Sequence, residues 1–320
     1  MNNNTTTNQR LPQLNGQVFL SEGGLETDLI FQHGIDLPDF ASFPLLETEH
    51  GRKTLTDYFQ AVIDIARRAG TGTVLETPTW RANPDWGTRL GYSADRLDRV
   101  NHDAVDFLRT LGSDNPDVPV VVSGNLGPRG DGYVTDEAMS PNQSASYHGE
   151  QIRSFAAARA DLVSALTINY VEEAIGIVVA ANESDIPAVI SFTVETDGDL
   201  PSGQPLGAAI NEVDEATGGG PAYFMVNCAH PTHFTSVLAD TGPWRRVRGI
   251  RANASRMSHE QLDNAEELDR GNEAELATGY LALSDLLPGL AVVGGCCGTD
   301  LKHLEAISVA LHHSTAGSTR

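Results

Sequence analysis

The sequence predicts an α/β protein folded as a single (β/α)8 barrel of the TIM type, and three observations predict it. Short apolar runs alternate with longer amphipathic runs along almost the whole chain. The alternation repeats eight times, the number that closes a parallel barrel of ordinary size. The glycine fingerprint GxGxxG, which would favour a doubly wound open sheet, is missing after the first apolar run.

Each unit follows the same logic. VFLSEGG (18–24) reads as a buried strand running into glycines, and TLTDYFQAVIDIARRAG (54–70) places apolar residues at helical spacing and stops on Gly70. Strand 71–80 precedes helix 94–112, strand 118–128 precedes helix 149–160, and strand 161–168 precedes helix 170–184. Strand 186–195 is followed by helix 204–216, strand 222–228 by helix 230–240, strand 247–254 by helix 273–287, and strand 290–295 by helix 300–312. No linker or repeat divides the chain. One domain is expected over 15–313, between disordered tails at 1–14 and 314–320.

Composition narrows the function classes. The net charge of −22 over 320 residues opposes binding to nucleic acid or to anionic membranes and indicates a well-solvated surface. The first ten residues are polar, unlike a signal peptide, and no apolar run approaches the roughly 20 residues that span a bilayer. A cytoplasmic protein, monomeric or a small homo-oligomer, is expected. Its three cysteines cannot pair off completely, and an intracellular chain keeps them reduced, which turns attention to metal binding or catalysis.

In such a barrel the chemistry collects at the C-terminal strand ends. Cys228 ends the sixth strand in VNCAHP; Cys296 and Cys297 end the eighth in VVGGCCGT. Strands six and eight are next-but-one neighbours, so the three thiols can converge over the barrel mouth, and Gly294, Gly295 and Gly298 let the loop turn sharply enough for adjacent cysteines to face one point. Three thiolates suit a tetrahedral Zn2+ with one position left for a substrate. The bland alternative is three incidental buried cysteines. His230 and His233 offer rival ligands at C-x-H and C-x4-H spacing, although both fall at a helix start.

SEGGLETDL, GNLGP, VNCAHP and VVGGCCGT together resemble the homocysteine S-methyltransferases, over roughly residues 16–312. The resemblance implies Zn2+ held by Cys228, Cys296 and Cys297. It implies a methyl group moved to the thiolate of homocysteine from S-methylmethionine or S-adenosylmethionine, giving methionine. Betaine is disfavoured as donor by chain length, and methylcobalamin by the lack of a D-x-H-x-x-G module. Substrate-binding candidates are Glu22, Gly23 and Gly24 in the first strand end, with Glu26 and Asp28 weaker. Glu22 faces the substrate ammonium or is simply solvated. Asn227 and Asn125 each contact substrate or order a loop, and Trp80 lines the donor pocket or packs.

Two departures stand out. Where the family reads F-E-T at the fourth strand end, with the glutamate binding the substrate ammonium, this chain reads Ala165-Leu166-Thr167. Either Glu195 or Glu76 compensates, or the acceptor is a different thiol. In TWRAN, where some relatives place a tyrosine able to reach the metal, this chain has Trp80 and Arg81. Rival functions are a metal-free lyase, which needs a Schiff-base lysine that no strand end supplies, and a non-catalytic zinc or redox protein.

Overall fold

The computed structural model describes residues 11–135, 138–265 and 267–317. Eight parallel strands close a barrel in sequence order: β1 (Phe19–Leu20), β2 (Thr73–Glu76), β3 (Val120–Leu126), β4 (Leu162–Ile168), β5 (Ala188–Phe192), β6 (Tyr223–Asn227), β7 (Val247–Ala252) and β8 (Val292–Gly295). The ring closes where Phe19 pairs with Val292 and Leu20 with Val293. A single (β/α)8 barrel is therefore the fold.

The helices are α1 (Leu25–Phe31), α2 (Glu49–Ala69), α3 (Pro84–Arg89), α4 (Ala94–Asp114), α5 (Pro141–Ala157), α6 (Val171–Glu183), α7 (Leu206–Thr217), α8 (Pro231–Ala239), α9 (His259–Asp263), α10 (Glu273–Leu286) and α11 (Leu301–Gly317). Their ends carry local signals. Thr48 accepts from the Gly51 N–H to start α2, and Gly70 ends it at φ 66°, where glycine has no Cβ penalty. Ser140 and Gln143 form a reciprocal capping box on α5. The short α1, α3 and α9, absent from the sequence pattern, sit in loops at the catalytic face of the fold.

The opposite end of the barrel is plugged. Leu11 packs with Phe19, Val74, Val121, Leu162 and Tyr223 in a separate apolar cluster, and Gln13 Nε2 donates to Tyr223 Oη (3.4 Å). The disordered tail expected over 1–14 is thus corrected: Leu11–Leu14 is anchored because its apolar side chains close the barrel floor, while 1–10 lie outside the described residues. At the other end α11 runs on to Gly317, past the expected boundary at 313, and 318–320 lie outside the described residues. Among the described residues no helix is long and apolar enough to cross a membrane.

Candidate functional site

The strand ends enclose a cavity of about 370 Å3, bordered by Glu22, Gly24, Trp80, Asn125, Leu166, Asn227 and all three cysteines, among others. Their sulfur atoms lie within 4.8 Å of one another. The convergence depends on backbone geometry. Cys228 sits at φ 55°, a strained region for a residue with a Cβ. It is held there from several sides: its N–H donates to Arg251 O (3.1 Å), and its carbonyl accepts from Asn253 Nδ2 (3.0 Å) and lies 2.7 Å from His259 Nε2. Opposite, Cys296 N–H donates to Ala252 O (2.9 Å), the Cys297 carbonyl accepts from Ala254 N–H (3.1 Å), and Gly298 turns the loop at φ 77°.

In this structure the sulfurs of Cys228 and Cys296 are in contact, and Cys297 Sγ lies 3.9 Å from Cys228 Sγ. As thiolates, these three sulfurs form a donor set that fits a soft cation. Burial pushes the Cys297 thiol up to about 11, so keeping it as a thiolate at neutral pH takes a neighbouring positive charge. His230 and His233 stand apart from the sulfur cluster. His230 Nδ1 caps α8 at the Thr232 N–H (3.3 Å), and His233 Nε2 lies 3.0 Å from Arg256 O.

Glu22 borders the cavity and is almost wholly buried. Its Oε2 accepts from the Glu76 N–H (3.2 Å) and its Oε1 lies 3.5 Å from Arg251 Nη1. Burial pushes its carboxyl up to about 8, against the opposing pull of Arg251. Arg251 also donates from Nε to Gly295 O and from Nη2 to Gly23 O, 3.0 Å each, tying the ends of β1, β7 and β8 together. Glu26 reaches the cavity too and accepts from Ser42 Oγ (2.7 Å), with burial again raising its carboxyl. Asp28 instead faces His33 at 3.4 Å.

The glycines serve close approach. A Cβ on Gly24 would run into the Cys296 carbonyl, and one on Gly23 would press on the Asp300 backbone. Gly24 borders the cavity and Gly23 does not. Asn227 orders the loop: its Oδ1 accepts from Thr167 N–H (2.8 Å) and Ser191 Oγ (2.6 Å), and its Nδ2 donates to Thr167 Oγ1 (2.8 Å). That clamp holds Thr167 at φ 65° beside the register shift between β4 and β5. Asn125 borders the cavity with its Oδ1 unpartnered. Trp80 also borders it, its Nε1 donating to Leu166 O (3.2 Å).

Neither glutamate proposed to replace the missing one reaches the cavity. Glu76 is buried inside the barrel wall outside the lining, and Glu195 lies 3.0 Å from His259 Nδ1, behind the histidine that braces Cys228. Sequence reasoning missed Tyr133. Its hydroxyl stands 4.0 Å from Cys297 Sγ and its ring stacks on His259 at 4.0 Å between centroids. It comes from the irregular loop after β3, where no periodicity marks it.

The same architecture is found in solved structures of the homocysteine methyltransferase MmuM from Escherichia coli. The oxidised form matches with a TM-score of 0.73 at 19% identity, covering 95% of this chain and 99% of that one. The metallated form gives 0.70 at 19% identity over 92% and 96%. At this identity the likeness concerns the fold. The sequence places the family: the homocysteine S-methyltransferase model matches residues 19–311, and the chain belongs to that family. It is 26% identical over 262 residues to betaine–homocysteine S-methyltransferase 1 of Rattus norvegicus, covering 76% of this chain and 61% of that enzyme. It is 28% identical over 135 residues to methionine synthase of Mycobacterium leprae, covering 42% of this chain and 11% of that one. The chain thus spans less than two thirds of the length of these relatives.

Proposed function

We propose that the protein transfers a methyl group from a sulfonium donor, S-methylmethionine or S-adenosylmethionine, to the thiol of homocysteine, giving methionine. The observation that carries this reading is the convergence of Cys228, Cys296 and Cys297 within 4.8 Å at the cavity wall. Those three residues, reduced, would hold Zn2+, which when bound favours the thiolate form of a substrate thiol at neutral pH. The substrate sulfur then attacks the methyl carbon in line; the new C–S bond forms as the donor C–S bond breaks. The leaving group departs as a neutral thioether, so no general acid is required.

The residues around the cavity do the positioning. Glu22 and Glu26 are among the carboxyl groups that border it and can accept from a substrate ammonium. Trp80 presents an aromatic face of the kind that attracts a sulfonium. Leu166 supports a second reading, a different thiol acceptor, because it borders the cavity where the family's glutamate is expected and neither Glu76 nor Glu195 joins it.

The test is methionine formation by reduced, zinc-loaded protein with homocysteine and each donor, beside Cys297→Ala. Turnover that vanishes in the variant supports the reading. Turnover only with another thiol supports the second reading, and failure to take up zinc after anaerobic reduction overturns both.

A further inference from the structure

Arg81 is an anomaly in this cavity. It is only 9% exposed, yet among the described residues no carboxylate lies within ion-pair distance of its guanidinium. Nη1 donates to Gly130 O (3.2 Å), and the buried Nε finds no acceptor. Arg251, the other buried arginine of the cavity, is by contrast bonded to two carbonyls and faces Glu22. A buried cation without a counter-ion is costly, and orphaned buried donors call for a partner. Burial lowers Arg81 to about 10, opposed by Asp131 and Glu26 from further off, so it remains charged at neutral pH.

The side chain is also held in place. Its guanidinium carbon stacks 4.2 Å from the Trp80 ring centroid and 3.8 Å from that of Trp86. Packing against both rings holds the guanidinium in place, and its Nη2, which has no partner among the described residues, is left to donate to an oxygen acceptor such as a carboxylate. Arg81 borders the same cavity as the cysteines, beside Trp80 and Leu166.

We infer that Arg81, clamped between Trp80 and Trp86, is a specificity-determining anchor for the carboxylate of an amino-acid substrate in this cavity. The inference deepens the proposed methyl transfer and rests on it for the identity of the substrate. The carboxylate belongs either to the thiol acceptor, and so to its methylated product, or to the sulfonium donor; an acceptor or donor lacking a carboxylate would leave Arg81 unpaired and bind poorly.

The test uses matched ligands that differ at the carboxylate alone. L-Methionine and L-methioninol represent the acceptor side; S-methylmethionine and the corresponding methioninol sulfonium represent the donor side. Binding is followed by fluorescence, since two of the chain's three tryptophans pack on Arg81. The wild type is expected to prefer the carboxylate member of one pair by about 10- to 100-fold, the range of a hydrogen bond to a charged group. Arg81→Gln should lose that preference, and Arg81→Lys should regain part of it. The pair that responds identifies the source. A wild type with no preference in either pair, or an Arg81→Gln protein of native circular dichroism that keeps it, overturns the anchor. Because these ligands need neither zinc nor turnover, a carboxylate preference lost in Arg81→Gln in a protein that transfers no methyl group would sustain the anchor and sink the reaction.

Discussion

Replacing Arg251 with methionine should cost about 3–6 kcal/mol, and the origin of that figure can be separated experimentally. The substitution preserves much of the volume but removes two charge-assisted hydrogen bonds, to Gly23 O and Gly295 O at 3.0 Å each. Each is worth about 1.5–3 kcal/mol, and both carbonyls stay buried in the loops that position the cysteines. The Glu22 ion pair at 3.5 Å looks like a further loss, but Glu22 is already pushed up to about 8 and can meet the loss of its cation by holding a proton. The carbonyl bonds therefore dominate. Against a total stability of about 5–15 kcal/mol this is a severe defect. Urea unfolding at pH 7 of Arg251→Met, Glu22→Gln and the double variant separates the terms. Glu22→Gln alone should cost about 1 kcal/mol, with little coupling. Equal costs for the two single variants, together with a double variant no worse than either, would refute the reasoning and make the ion pair the principal tie.

Other outcomes are expected. Zinc titration should give one ion per chain, and Cys228→Ser should lower affinity at least about 10-fold; mass spectrometry and a competing chromophoric chelator read both. Stability should fall as pH rises. The folded pKa of Glu22 is raised from 4.5 to about 8 by burial, so its contribution is complete below about 4.5 and lost through about 8. A urea midpoint at pH 9 no lower than that at pH 6, or a slope unchanged in Glu22→Gln, would contradict this. Leu166→Glu should lower the KM for homocysteine several-fold if its ammonium lies at the fourth strand end; an unchanged KM would place the ammonium elsewhere. Gly24→Val should destabilise the protein by about 1–3 kcal/mol, because its side chain would overlap the Cys296 carbonyl; a thermal melt coincident with wild type would show that the loop gives way.

The eight-unit alternation was legible because periodicity is local: each strand and helix declares its buried face within its own residues, and eight such units have few ways to close. The positions of Cys228, Cys296 and Cys297 were legible for the same reason, since strand ends in a parallel barrel share one face. Other features depend on neighbours distant in the chain. Leu11 reads as a tail residue until the barrel floor offers it a cluster of buried side chains drawn from seven of the eight strands. Glu76 ends a strand and Glu195 follows one at the expected places, yet His259 holds Glu195 behind the site and the barrel wall encloses Glu76. Tyr133 enters from a loop without periodicity, and Arg81 gains its meaning from Trp86, a residue on the following helix. The sequence by itself determined the barrel, its orientation and the three sulfurs. Only the tertiary structure decided which carboxyls face the cavity, which arginine is saturated and which is not, because hydrogen bonding and desolvation are set by whatever surrounds a side chain in space.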